Sequence, residues 1–310
     1  MRTVGTQVRG IRAPIIKQGD DLVQIVVDSL LQAAKKEGFI LNDRDVIGIT
    51  ESLVARAQGN YVTLEVVSKD LKNKFGAEEI GVVFPLISRN RFSLILKAIA
   101  QSFLRVYLLL SYPSDEVGNS LMDIDRMEEA GINPYTDFLT EEDYRRIFGE
   151  EVKHPFTGVD YVQTYKDLGI DGNISIYFSN NPRDILRFTR NVLTADIHSR
   201  ERTKRILKES GALKLYGLDD ICTEVIAGSG YNRDYGLLGS NVATEEKLKL
   251  FPRDGQFYVD EIQKKIKELT GKQVEVLIYG DGAFKDPVAK IWELAEPLLL
   301  VYQGFPMKLK

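Results

Sequence analysis

The chain has little from which to build a thiolate or imidazole metal cage: its 310 residues include one cysteine, Cys222, and two histidines, His154 and His198. One cysteine excludes an intramolecular disulfide, and the three residues together fall short of a four-ligand zinc site. Any metal would therefore be held by oxygen. Long apolar runs are also missing. The opening MRTVGTQVRG lacks the apolar segment of a signal peptide, and the best early run, LVQIVVDSLL, is broken by Gln24 and Asp28. No stretch approaches the roughly 18 apolar residues of a membrane span. The expectation is a cytoplasmic protein without a membrane partner. A net charge of −4 lacks the basic excess that draws proteins to nucleic acid, so no nucleic-acid partner is expected. Several signatures are absent too: there is no GxxxxGK[ST] loop, no GxSxG elbow, and no GxGxxG after a strand. Heptads, short repeats and low-complexity tracts are lacking as well.

What is present is the composition of a soluble globular protein, 44% hydrophobic and 28% charged, at a length that favours two domains or one domain with a large insertion. In QGDDLVQIVVDSLLQAAKKEGF, Leu22, Ile25, Val26, Leu30 and Ala33 recur at helical spacing. Asp20 is placed to cap the start and Gly38 to end it. The β-branched VIGIT, residues 46–50, follows as a short strand delivering the polar ESLVARAQG. From about residue 80 to 225, GVVFPLISRNR, RVYLLLSYPSDE, ISIYFSNNPRD and LKLYGLDD each run apolar and then turn polar. RFSLILKAIAQSF lies between the first two as a sheet-packing helix. Apolar strands alternating with helices predict a parallel sheet covered on both faces, with ligands bound outside the carboxyl ends of its strands. IAGSGYNRDYGLLGSN reads as a loop system leading back to another domain, and YVDEIQKKIKELTGK as a helix ended by Gly271.

Each polar cluster carries a functional reading and a bland one. In VEVLIYGDGAFKDP, Asp281 and Asp286 can hold magnesium or manganese while Lys285 neutralises phosphate. Equally, the segment is a Gly-Asp-Gly turn with a solvated Lys-Asp pair. Arg89 and Arg91 of SRNR, with Asp115 and Glu116 of SYPSDE, supply an anion clamp and a metal or hydroxyl acceptor, or form a salt-bridged rim. His198 has polar neighbours in Asp196 and Arg200, yet no nucleophile stands at recognisable spacing. The basic face of SRERTKRILKESG reads as solvation.

Two separated stretches resemble the gamma-glutamyl ligase family that adds glutamate to the precursor of the deazaflavin coenzyme F-420. IKQGDDLVQIV followed by DVIGITESLVARAQG is similar to the family's Gly-Asp-Asp helix start and its strand leading to Ser-Lys-Ala-Glu-Gly. GLLGSNVATEEKLKLFPRDGQFYVDEIQKKIKELTGKQVEVLIYGDG is similar to its Gly-Ile-Asp-x-Ser-Asn segment, Leu-Pro-x-Asp turn, Leu-Thr-Gly-Lys helix end and strand-end aspartate. The resemblance covers about the first 60 and last 75 residues, split by a long central insertion. It implies a ligase that uses GTP and a divalent metal, Mg or Mn, to activate a carboxylate as an acyl phosphate, which the glutamate amine attacks. It also implies a homodimer.

By position, Asp281 matches the strand-end metal aspartate if Gly280 is a one-residue insertion. Arg56 takes the place of the basic residue, Ser240 and Asn241 match the Ser-Asn pair, and Ser52 opens the same segment as Arg56. The departures are Leu238 where the family has a metal aspartate, Ala55 for a serine, and Gln58 for a glutamate. The family also continues well beyond its strand-end aspartate, so the chain reads as a divergent member with a short C-terminus. Asp115, Glu116 and Asp286 are the substitute oxygen donors.

The fold expected is α/β, a divided ligase-type α+β domain with an inserted doubly wound, mostly parallel-sheet domain. Residues 1–78 and 228–310 form the first and 79–227 the second. The function expected is a GTP- and metal-dependent ligase adding glutamate or another amino acid to a carboxylate of a coenzyme-like acceptor. Its catalytic residues are Arg56 and Lys285; Ser52, Arg89, Arg91, Ser240 and Asn241 bind nucleotide or substrate, and Asp281, Asp286, Asp115 and Glu116 hold metal. The rival is a non-catalytic nucleotide or small-molecule binding protein that kept the fold without the complete metal site. A third reading makes the inserted domain a separate small-molecule enzyme, with SYPSDE and SNNPRD lining its pocket.

Overall fold

The computed structural model describes residues 5, 7–280, 283–285, 292–294 and 299–303. In chain order the elements begin with α1 (Leu22–Glu37), β1 (Val46–Thr50), α2 (Glu51–Gln58), β2 (Tyr61–Thr63) and α3 (Leu64–Phe75). There follow β3 (Glu79–Val83), α4 (Arg91–Ala100), β4 (Arg105–Leu110), α5 (Ile124–Glu129), β5 (Leu139–Thr140), α6 (Glu141–Phe148) and α7 (Tyr161–Asp167). Then come β6 (Ile174–Phe178), β7 (Asn191–Thr194), α8 (Arg200–Glu209), β8 (Lys214–Gly217), β9 (Ser240–Thr244) and β10 (Lys247–Leu250). The last are α9 (Gly255–Thr270), β11 (Glu275–Gly280), β12 (Ala283–Lys285), β13 (Trp292–Leu294) and β14 (Leu299–Gln303). The protein is mixed α/β, and its contacts divide it into two compact units.

Of the described residues, the first unit takes 5, 7–60, 252–280 and 299–303. Helix α1 starts where the Asp21 carboxylate accepts the Gln24 N–H at 3.0 Å and ends at Gly38, whose φ of 71° permits the left-handed turn. The cap is thus Asp21 rather than Asp20, which instead accepts the Lys17 N–H at 2.7 Å and closes the preceding turn. Strands β1 and β11 pair in parallel with Ile49 opposite Ile278, and β14 adds antiparallel to β11. Val27 of α1, Val54 of α2 and Val259, Ile262 and Ile266 of α9 are buried in one core with Val276 of β11. Each such side chain contributes about 1.5–3 kcal/mol by leaving water.

Of the described residues, the second unit takes 61–251, 283–285 and 292–294. Its main sheet runs β5-β6-β4-β3-β7-β8, parallel throughout except for β5. Among the five parallel strands the spatial order is third, second, first, fourth, fifth in chain order, the doubly wound arrangement. Successive residues feed opposite cores. Ile80, Val82, Leu108 and Leu110 enter the core that holds α3, α4, α6 and α7, while Val83, Leu109 and Val192 meet Ile185 and Leu207 on the other face. This two-sided burial explains the near-continuous apolar strands. At Gly81 a Cβ would lie 2.4 Å from Ile185 Cγ1, so the 3-10 turn Pro182–Arg187 packs on β3 only because no side chain stands there. A smaller antiparallel sheet, β2-β10-β9, sets Lys249 opposite Tyr61 on one side and Asn241 on the other.

Candidate functional site

In the second unit the strand order reverses between β3 and β7, so the crevice that such sheets offer to ligands lies outside the carboxyl ends of those strands. The SYPSDE turn leaves β4 beside it. Asp115 is buried and its carboxylate takes four donors: the N–H groups of Val117 (3.1 Å) and Asn119 (2.9 Å) on Oδ1, and the Ile87 N–H (2.9 Å) and the Asn119 amide (2.8 Å) on Oδ2. Burial pushes its pKa up, against the lowering pull of those donors. Glu116 reaches the β7 exit and accepts the N–H groups of Ile197, His198 and Ser199, and the Ser199 hydroxyl at 3.0 Å. It therefore caps the start of α8 from outside that helix.

His198 enters this arrangement through its backbone N–H, and its residue is exposed. Asp196 is fully buried, accepts the hydroxyls of Ser199 (2.7 Å) and Thr203 (2.6 Å), and has its pKa raised first by burial. The SNNPRD turn is likewise occupied. Asn180 bonds the backbone of Tyr112 through both ends of its amide, and buried Asp184 takes the Ser179 hydroxyl at 2.6 Å.

Two other expected residues meet here. Arg91 opens α4, is buried, and donates to the carbonyls of Leu237 (3.2 Å) and Leu238 (2.5 Å), with Nε 3.4 Å from Ser240 Oγ. The guanidinium thus underpins the GLLGSN segment, which carries Ser240 and Asn241 into β9. Arg89, half-buried, lies in the loop before α4. The Asn241 side chain accepts the Val242 N–H at 2.9 Å. Beside Asn241 in the sheet stands Lys249, buried although charged. Sequence reading passed over it, because KLKL alternates like a half-solvated strand and gives no sign that its second lysine turns inward.

In the first unit, β1 delivers α2. Ser52 is half-buried and Arg56 exposed, while Glu51, also unmarked by the sequence, is buried at the first position of the helix. The two resembling stretches touch at this point. The Gly19 N–H donates to the Ala57 carbonyl at 2.8 Å, and a Cβ on Gly59 would meet the Gln18 side chain at 2.2 Å. Gln58 holds Arg253 both ways, its Nε2 donating to the carbonyl at 2.5 Å and its Oε1 accepting the N–H at 2.8 Å. A glutamate could make only the second bond, since an ionised carboxylate has no proton to give. Asp281 and Asp286 lie outside the described residues. Lys285 ends β12 opposite Trp292, its side chain also outside them.

The first stretch and the part of the second from Pro252 to Gly280 are therefore neighbours in one unit, while GLLGSN and the strands β9 and β10 belong to the other. The comparison with family models agrees over nearly the whole length: residues 10–300 match the family described as F420-0:Gamma-glutamyl ligase. The chain belongs to this family. No curated protein matches it.

Membership makes this chain a relative of ligases that add glutamate, and asks whether the residues present suit a divalent cation. Among the described residues no group of three or more His, Cys, Asp or Glu is arranged to hold one. A carboxylate offers about four lone-pair sites. Asp115 has four donors on its two oxygens, and Glu116 is engaged by three N–H groups and a hydroxyl. As arranged, neither fits a cation without giving up those bonds, and Leu238 offers only a carbonyl, already held by Arg91. Among the described residues no helix is long and apolar enough to cross a membrane.

Proposed function

We propose that the protein is a gamma-glutamyl ligase-like enzyme that joins glutamate, or another amino acid, to a carboxylate of a coenzyme-like acceptor through an acyl phosphate. The observation that carries this reading is the family match over residues 10–300. In the reaction the acceptor carboxylate takes the terminal phosphoryl group of GTP and GDP leaves. The neutral amino group then attacks the acyl carbon, the new C–N bond forms as the C–O bond to phosphate breaks, and the amine proton departs with the phosphate or to water. Arg56 and Lys285 are the cations assigned to the phosphate charge, and Ser52, Arg89, Ser240 and Asn241 to nucleotide or substrate. Arg91, whose guanidinium faces the carbonyls of the GLLGSN segment, orients Ser240. The family implies Mg or Mn to neutralise phosphate, and its ligands here are assigned to Asp281 and Asp286. Residues 79–227 are read as an insertion within a ligase-type domain formed by 1–78 and 228–310. Cytoplasmic residence and a homodimer complete the proposal.

The saturated carboxylates of Asp115 and Glu116, with Leu238 in an aspartate's place, support a second reading, a non-catalytic nucleotide or small-molecule binding protein. Calorimetric titration of the whole chain with GTP and ATP, with and without manganese, tests both. Metal-dependent nucleotide binding, weakened by Asp281→Asn, is expected. No metal-dependent binding at millimolar nucleotide would overturn the ligase reading. Nucleotide binding with no phosphate release when glutamate and an acceptor carboxylate are supplied would favour the second.

A further inference from the structure

Between β4 and β6 the chain makes a crossover, residues 111–173, that builds a cavity of about 340 Å³ within the second unit. Its floor is apolar and aromatic: Leu121, Met122, Tyr144, Val159 and Tyr161 line it and are buried. The Tyr144 hydroxyl is already spent on the Leu121 carbonyl at 2.9 Å, so this residue offers the cavity its ring. The mouth has a different chemistry. Asp123, Asp125, Lys153 and His154 stand there, together with Ile124, an isoleucine left 53% exposed. Phe156, just beyond the lining Pro155, is 76% exposed. Large apolar side chains in water beside an aromatic-floored cavity mark a ligand site more often than a random surface.

Charge at the mouth selects the ligand. Lys153 is paired with Glu151 at 3.0 Å, which neutralises the one permanent cation in the lining. The His154 Nδ1 accepts the N–H groups of Phe156 and Thr157, both at 3.3 Å, which fixes the ring against its own loop. Asp123 uses Oδ1 to cap α5 at Arg126, and Asp125 sits two residues further on, exposed. The mouth is therefore net negative above an apolar floor.

The walls are preformed. Asp160 ties them together, taking Arg145 of α6 through two bonds of 2.5 and 3.1 Å, the Val152 N–H at 3.0 Å, and the Gln163 N–H of α7 at 2.9 Å. A ligand entering here need not order the loop first, which removes one cost of binding.

The geometry points to this cavity as a binding site for a small aryl-alkyl ammonium compound, its ring on the Leu121–Met122–Tyr161 floor and its cation at Asp123 and Asp125. The site does not depend on the ligase reading. Its test uses the full chain, tryptamine as probe, and indole-3-acetate as a probe of the same ring with the opposite charge, both titrated by calorimetry. Tryptamine is expected to bind saturably and indole-3-acetate at least about tenfold more weakly, the effect of one charge-assisted contact. Asp125→Asn should weaken tryptamine about tenfold, and Ile124→Arg should abolish its binding. Both residues are exposed, so thermal unfolding should be unchanged in each variant. Absence of saturable tryptamine binding, equal binding of the two probes, or tryptamine binding unchanged in both variants would overturn the assignment.

Discussion

Replacing Asp115 by asparagine tests whether the SYPSDE turn is an architectural staple. The wild-type carboxylate accepts four donors from the exits of β3 and β4. An amide keeps one oxygen. If it stays on the Val117 and Asn119 N–H groups, the new NH2 faces Asn119 and Ile87. The Asn119 amide can turn its own oxygen toward it, but the Ile87 N–H has no such option and is left buried against a donor. One orphaned buried N–H costs about 1–3 kcal/mol, a sizeable share of the roughly 5–15 kcal/mol of a folded domain. The expected result is a lower urea midpoint with an unchanged slope, together with faster hydrogen exchange at the Ile87 amide. Two results would refute the reasoning. One is a variant as stable as the parent with Ile87 equally protected; the other is wild-type protein losing the same stability in EDTA, which would show that Asp115 holds a cation.

Other outcomes follow from the same kind of accounting. Burial works to raise the Asp160 pKa, but Arg145 and the Gln163 and Val152 N–H groups outweigh it and hold the carboxyl below its usual range. A depressed folded pKa gives stability that is present above the unfolded value near 4 and lost as pH falls through the folded one. Arg145→Met should therefore lower the unfolding temperature at pH 7 and flatten its decline toward pH 3, and identical profiles in a thermal series would contradict this. Gln58→Glu should cost about 1–3 kcal/mol in urea at neutral pH, because an ionised carboxylate oxygen then faces the Arg253 carbonyl where the Gln58 amide had donated. The loss should shrink below about pH 4, where a protonated carboxyl again has a proton to give; a pH-independent difference would count against the account.

Much of the fold was legible because burial leaves periodic marks. VIGIT, RVYLLL and ISIYF carry strand character in their own residues, and Gly38 and Gly271 close α1 and α9 as their left-handed φ values require. Strand β7 escaped notice since NVLT offers only four residues between polar neighbours. The site was harder to read, because a sequence shows which groups are present and not what they spend themselves on. Asp115 and Glu116 look alike as possible metal ligands until the N–H groups of Ile87 and of residues 197–199 are seen on them. Those partners are 28 and 81–83 residues distant. Arg91 looks like an anion clamp until its carbonyl partners, 146 and 147 residues away, come into view. Lys249 and Glu51 were hidden for the opposite reason, as ordinary-looking charges that tertiary structure buries.

The parallel pairing of β1 with β11 has a consequence for the making of the protein. Thr50 ends the first strand and Glu275 begins its partner, 225 residues later, so at about 5–20 residues per second the ribosome delivers the second strand roughly 11–45 s after the first. Through that interval Ile49 and the apolar face of α1 wait without the partners that will cover them. The stretch between is not idle, because Tyr61 and Lys249 become neighbours once β2 meets β10, which draws the two stems together. A chain closure spanning more than two hundred residues thereby shrinks to a short one before the last helix and strand emerge. Interrupted synthesis before residue 250 should leave an N-terminal segment open to proteolysis and to chaperones.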